Sequence, residues 1–398
     1  MTATRGPLAA LAVRPFRWWF ISQVTSASGL MTQMVAIAWL VLQMTGSGVA
    51  LALISTASLL PVLLLGLWAG SLIDHRDTRA LLICTQSALT AISLLLFALI
   101  QSGGAHYWVL IVISLASGTV TALDGPARQV YVVELVGRDR LAGAVSLYEV
   151  ILNLSRVLGP ALGGILLATS GPAACVLVNA ISFLAPLAVL LHFRPAADAV
   201  ADGPPTERPR VADGVRYAWR NPTLRACLVL AAGSTFVFNA SVMLPLLASR
   251  VFHMDGSGYG LLLAIFGAGA LPGALLAARH GAPTGHRVRV LCTATGLCML
   301  IVALAPDRPV LFVGMAATGL SSIWMIAVAN TLVQFRSPPE VRGRVMGAWT
   351  VALPGMNPVT GLIAGAVADA CGARVAYGGA GVVMSVIGVG LWRSFGRE

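Results

Sequence analysis

Lysine is absent from this 398-residue chain, and all 26 of its basic residues are arginine. Without lysine there is no phosphate-binding loop closing on Gly-Lys-Ser/Thr and no lysine Schiff base. ATP hydrolysis by this chain alone is therefore excluded. Charge of either sign is scarce, at 10% of residues against about 25% in soluble domains. The 15 acidic residues leave a net charge of +11. Six cysteines (Cys84, Cys175, Cys227, Cys292, Cys298 and Cys371) include no Cys-x-x-Cys pair and have no histidine at ligand spacing. A disulfide framework or a zinc centre is not expected, nor is any other metal or cofactor. What the chain does have is hydrophobic residues, at 57%. A soluble globular fold is ruled out by that balance.

A bilayer span needs about 20 mostly apolar residues. Residues 18–73 carry no formal charge, and a turn-like stretch at Met44–Gly48 divides them into two spans. Residues 80–123 give two more, broken at Ser102–Gly104, and residues 141–193 another pair, broken at Ser170–Pro172. The later uncharged runs 226–249, 256–278, 290–306, 309–335, 345–368 and 375–392 are each one span long. The count predicts an all-α integral membrane protein with twelve transmembrane helices.

Numbering the connections alternately places 22 arginines on one side; only Arg250, Arg308 and Arg374 fall on the other, and Arg156 lies within a helix. Arginine in short loops marks the cytoplasmic face. The expected placement is multi-pass in the inner membrane with both termini cytoplasmic. The one polar island, 194–225, separates an N-terminal six-helix half (1–193) from a C-terminal half (226–398). Within it, 213–221 has the pattern of a short amphipathic helix on the inner surface. The halves repeat weakly: Gly66-x-x-x-Gly70 returns as Gly269-x-x-x-Gly273, and 141–145 returns as 341–345. Six-plus-six repeats describe a class of secondary transporter.

Three local patterns carry a resemblance. The first runs from Gly66 through Gly70 and Asp74 to Arg76, Asp77 and Arg79, at the turn between the second and third helices. The second is Arg156-Val-Leu-Gly159-Pro160-Ala-Leu-Gly163-Gly164 in the fifth helix. The third is Leu123-Asp124-Gly125-Pro126-Ala127-Arg128-Gln129, accompanied by Val341–Val345 and Trp39–Ser47. Together they resemble the major facilitator superfamily, specifically its drug:proton antiporter branch with the enterobactin exporter and macrolide efflux proteins.

The resemblance implies the two-times-six major facilitator fold and a cytoplasmic latch. In that family the aspartate matching Asp74 sits at the N-terminal end of the eleventh helix and holds the outward-open state. A loop arginine, Arg79 or Arg76, then bridges to Asp124, with Arg128 in the same network. Physically, Gly66 and Gly70 share a helix face and allow close packing. The second half lacks this equipment, having Ala277 and Ala329 at the repeated positions. The second pattern resembles the family's antiporter motif.

Glu149, Asn153 and Arg156 are spaced by four and three, hence on one face of the fifth helix. Arg156 lies roughly 20 Å along the helix from its start near residue 143. An ionised group at such depth costs about 2.5–3.5 kcal/mol on insertion scales and needs a cavity or a partner. Arg156 lining a substrate cavity and Arg156 in a structural ion pair are both open. Glu149 is the first candidate for proton coupling and Asp124 the second. Gln33, Asn153, Asn239 and Asn330 are candidates to contact substrate or to glue helices together, with Phe236, Arg156 and Trp324 walling the same cavity. The expected function is a proton-coupled exporter of a small amphipathic molecule such as a drug, an antibiotic or a siderophore. A lysophospholipid flippase or an uncoupled facilitator is the alternative. A polytopic enzyme or a receptor is the reading from another class, and no protease or metalloenzyme motif supports it. The expected partners are the substrate, protons and the lipid bilayer, with no nucleic acid, and the expected state is a monomer.

Overall fold

A computed structural model describes residues 7–73, 76–137, 140–193, 211–279 and 283–391. Helices α1 (Arg14–Thr45), α2 (Gly48–Ile73), α3 (Thr78–Gln101), α4 (Tyr107–Val136) and α5 (Leu141–Thr169) follow a short 3-10 turn. The next crossing is built of α6 (Gly171–Ser182) and α7 (Leu184–His192), and then comes α8 (Val211–Arg220). A further crossing is made of α9 (Pro222–Phe238), α10 (Ala240–Leu246) and a π-helical turn at Leu247–Val251. After these come α11 (Gly256–Arg279), α12 (Gly285–Leu304), α13 (Arg308–Arg336), α14 (Pro339–Ala352), α15 (Asn357–Cys371) and α16 (Ala373–Gly390). Twelve stretches are long and apolar enough to span a bilayer, as the uncharged runs predict.

The breaks have local causes. Pro245 supplies no amide to the turn before it, and the crossing that holds it is interrupted at Asn239, where the backbone leaves helical geometry (φ −77°, ψ 37°). The crossing of α14 and α15 is divided just where Pro354 and Gly355 fall. Pro160, by contrast, lies within the continuous α5.

The chain divides into two compact units. The first holds residues 1–45 and 53–204, the second 46–52 and 205–398. In the first, α1 packs on α5 and α6, and α3 on α4 and α6. In the second, α12 packs on α13 and α16, and α11 on α13. The α11–α13 contact is made backbone to backbone: a Cβ at Gly269 would lie 2.0 Å from the Ala316 carbonyl oxygen, and one at Gly319 2.0 Å from that of Phe266. Only glycine permits such an approach. Many large apolar side chains face outward, including Leu64, Trp108, Val112 and Val313. Lipid is their natural solvent, whereas in water they would be a liability. The short α8 packs Ala218 against its surroundings and leaves Val215 and Trp219 exposed beside Arg216 and Arg220. Helices α14 and α9 pack against it.

Candidate functional site

Among the described residues of the first unit, the most buried charge is on α4. Asp124 is 3% exposed, and Arg128, one helical turn on, pairs with its Oδ2. The other carboxylate oxygen accepts from the Thr85 hydroxyl (2.8 Å) and the Gln86 side-chain amide (2.7 Å), both on α3. Arg128 also donates to the side-chain carbonyl of Gln23 on α1. Three helices are thus joined through one ion pair. Burial of a lone carboxylate in an apolar medium is prohibitive, and these donors are what make it tolerable. The network is incomplete, however. Gln23 Nε2 and Gln86 Oε1 are buried without a partner among the described residues, as is the Tyr131 hydroxyl. Tyr131 stacks edge-on with Trp19 (4.9 Å) in an apolar cluster with Phe16, Leu82, Ala127 and Leu190.

This arrangement corrects the expected bridge from the loop to Asp124. Arg79 instead donates to the carbonyls of Leu190 (2.6 Å) and Leu191 (3.3 Å), closing the C-terminal end of α7. Arg76 is exposed. The reason is geometric: Arg128 shares a helix face with Asp124, while the α7 carbonyls offer Arg79 orphan acceptors. Asp77 caps α3, accepting from the amides of Arg79 and Ala80. Gly66 and Gly70 lie on α2, and Asp74 falls outside the described residues.

The fifth-helix glycines act inside their own unit. A Cβ at Gly159 would lie 2.3 Å from Met31 Cβ on α1, and one at Gly163 would lie 3.2 Å from Val35 Cβ. The Thr32 hydroxyl, on the same α1 face, donates to the Gly159 carbonyl (3.0 Å). Gly164 is also buried, and Pro160 beside Gly159 likewise. Arg156 is half-buried and donates to the Asn153 side-chain carbonyl (3.2 Å). Glu149 occupies the expected place on α5, but its side chain lies outside the described residues. Gln33 accepts from Asn179 (2.7 Å) in the core of the unit.

In the second unit Asn239, at the break between α9 and α10, donates to the Thr360 hydroxyl (2.8 Å) and to the Thr235 carbonyl (2.9 Å). Thr360 in turn donates to Thr235 Oγ1 (2.8 Å). Phe236 and Trp324 are half-buried. Asn330 accepts from Gln334 (2.9 Å) on its own helix. Thr85, Gln86, Thr235 and Thr360 were not singled out in the sequence. Their only signal was a hydroxyl or amide inside an apolar span, which does not separate network members from residues bonded to their own helix.

No group of three or more His, Cys, Asp or Glu able to hold a metal occurs among the described residues. The comparison that decides the family is nearly full-length: residues 5–394 match the transmembrane secretion effector family. The chain belongs to that family. It is a small-molecule transporter of the major facilitator superfamily, not an enzyme, and a multi-pass inner-membrane protein. Among relatives, the multidrug efflux pump Tap of Mycobacterium tuberculosis is 29% identical over 374 residues, covering 88% of this chain and 86% of the relative. The staphyloferrin A transporter of Staphylococcus aureus is 25% identical over 375 residues, covering 89% and 90%. The enterobactin exporter EntS of Citrobacter koseri is 29% identical over 275 residues, covering 66% and 60%. Among solved structures, a D-xylose–proton symporter matches with a TM-score of 0.72 at 14% identity, covering 94% of this chain and 97% of that one. The shared fold is what that last likeness shows.

Proposed function

We propose that the protein exports a small amphipathic molecule, of the drug or siderophore kind, in exchange for protons, working as a monomer with its arginine-rich end and both termini in the cytoplasm. The observation that supports the coupling is the pair of buried Asp124 with half-buried Arg128, joined by Thr85, Gln86 and Gln23 across three helices of the first unit. Protonating Asp124 removes the charge that Arg128 answers, so the pair is a two-state element whose arrangement a proton can bias. The multidrug and enterobactin names of the relatives support the substrate class. The driving force suffices: one charge moved through 100 mV yields about 2.3 kcal/mol, and a tenfold gradient costs about 1.4 kcal/mol. In this reading 194–225 is the linker between two moving halves, 1–193 and 226–398. The turn holding Asp74 is the latch that the family resemblance implies, and Arg156 with Asn153 belongs to the substrate-facing side of α5.

The test is substrate-triggered proton flux in proteoliposomes. Asp124→Asn abolishes the flux while substrate exchange down its own gradient continues, and Glu149→Gln retains the flux. Loss of flux in Glu149→Gln with retention in Asp124→Asn reverses the assignment of the two acids. Flux absent from the parent chain, with export intact, overturns proton coupling altogether.

A further inference from the structure

Helix α2 changes company near its start. Residues 46–52 group with the second unit, whereas 53 onward belong to the first. The reason lies in a cluster at the arginine-poor end of the second unit. The first turn of α2 has no acid of its own, so its positive end and its unbonded amides need an outside acceptor. Asp369, near the end of α15, supplies it. One carboxylate oxygen accepts from the Gly48 amide (2.8 Å), and the other from the Val49 amide (3.0 Å) and the Ser47 hydroxyl (2.6 Å). Arg250 lies 3.6 Å from the same carboxylate and also donates to the Gly46 carbonyl. One turn earlier on α15, Gly365 meets Gly48 backbone to backbone. A Cβ at Gly365 would lie 2.4 Å from the Gly48 carbonyl oxygen, and one at Gly48 2.8 Å from that of Gly365.

We infer that Gly365 and Asp369, with Arg250, form a releasable clamp on the start of α2, closed when the arginine-poor end of the transporter is shut and broken when that end opens. The inference rests on the orientation and the rocking mechanism proposed above. Asp369 and Arg250 are then positioning residues for transport: they set which end is open without touching substrate. Two features make the clamp releasable. Its charged side chains are 27% and 40% exposed, so water can take over each bond as it breaks. Ser47 also keeps a cap ready, since its hydroxyl already accepts from the Ala50 amide (3.3 Å). Helix α2 therefore does not fray when Asp369 leaves. The other two arginines of this end have different tasks, with Arg308 donating to the Phe252 carbonyl and Arg374 to that of Ala305.

The experiment uses the full chain with its six cysteines replaced and Ala52→Cys added, because Ala52 is 1% exposed at the last position of the clamped segment. A membrane-impermeant maleimide is applied to right-side-out and to inside-out vesicles. Asp369→Ala should raise labelling from the arginine-poor face about tenfold, the weight of a charge-assisted cap, and Arg250→Gln about threefold. The KM for export should rise by up to the same factors with the maximal rate retained, because the state that loads substrate is depleted. A purely structural role would lower the amount of protein without moving either readout. Unchanged labelling on both faces overturns the clamp. Faster labelling only from the arginine-rich face overturns the proposal through its orientation. Should Asp369→Ala fail to reach the membrane, Asp369→Asn and Arg250→Gln carry the same test.

Discussion

The two units use their acids in opposite ways. In the second unit every acid whose side chain is described caps a helix: Asp255 at α11, Asp307 at α13 and Asp369 at the start of α2. In the first unit Asp77 does the same for α3, but Asp124 sits in the middle of α4, buried and ion-paired. The second unit has a buried polar cluster as well, yet it is neutral, built of Asn239, Thr235 and Thr360. Ala329, which stands where Asp124 would repeat, is fully buried in α13. A neutral cluster holds helices together at every pH. An ionic one adds a state that a proton can change. Among the described residues, the acid buried inside a span is therefore found in the first unit, while those of the second lie at helix ends.

The largest test of this contrast is to break the ion pair on one side only. Asp124→Ala leaves the half-buried Arg128 without its counter-charge and the buried Thr85 and Gln86 without their acceptor, and should cost about 3 kcal/mol, read as a fall in thermal unfolding temperature in detergent. Replacing Asp124 and Arg128 together by leucine and methionine should recover much of that stability yet leave no substrate-driven proton flux. Ala329→Asp puts a carboxylate where the second unit has prepared no donors, and it should destabilise as severely as Asp124→Ala. If Ala329→Asp were neutral, the difference between the units would not lie in the prepared network.

Glycine contacts sharpen the comparison at the next level. Gly319→Ala forces a Cβ to within 2.0 Å of the Phe266 carbonyl oxygen, a backbone atom that cannot step aside. Gly159→Ala meets Met31 Cβ at 2.3 Å and the Ser28 carbonyl at 2.7 Å. Both should cost about 1–3 kcal/mol or more. Gly163→Ala, with its nearest neighbour at 3.2 Å, should fall well below both in the same unfolding assay. Asn239→Ala should cost about 1–3 kcal/mol through the buried partners it orphans. Proton flux per substrate should be unchanged, since that cluster carries no charge.

Much of this was legible in the sequence, for physical reasons. Spans announce themselves because lipid disfavours charge, so runs with little or no charge locate all twelve. The glycine pattern Gly269-x-x-x-Gly273 marked close packing, and α13 supplies the backbone that needs it. The partners of charged groups were less legible. Asp124 was assigned to a loop arginine, but Arg128 at one turn's distance takes it, and Arg79 serves the end of α7. Long-range pairing depends on which helices adjoin, and local spacing does not carry that information. Asp369 was not singled out in the sequence, because the amides it caps are more than 300 positions away in the chain.

The smallest expected effect concerns a cap rather than a network. Asp255 accepts from the Ser257 hydroxyl and from the Gly258 amide at 3.0 Å, at the start of α11 and outside the membrane-spanning stretch. The Ser257 hydrogen bond first, and the Gly258 amide next, lower its pKa from the ordinary 3.8. A carboxyl whose folded pKa is depressed contributes stability that is fully present above its unfolded value and is lost as pH falls through the folded one. Asp255→Ala should thus cost about 0.5 kcal/mol near neutral pH, the low end for a cap because the group is exposed and solvent screens it. The difference between Asp255→Ala and the parent should shrink as pH drops below about 4. Unfolding temperatures of Asp255→Ala and the parent, measured from pH 7 down to pH 3, read this out. A cost for Asp255→Ala that stayed constant down to pH 3 would mean that the side chain acts by packing and not as a charged cap.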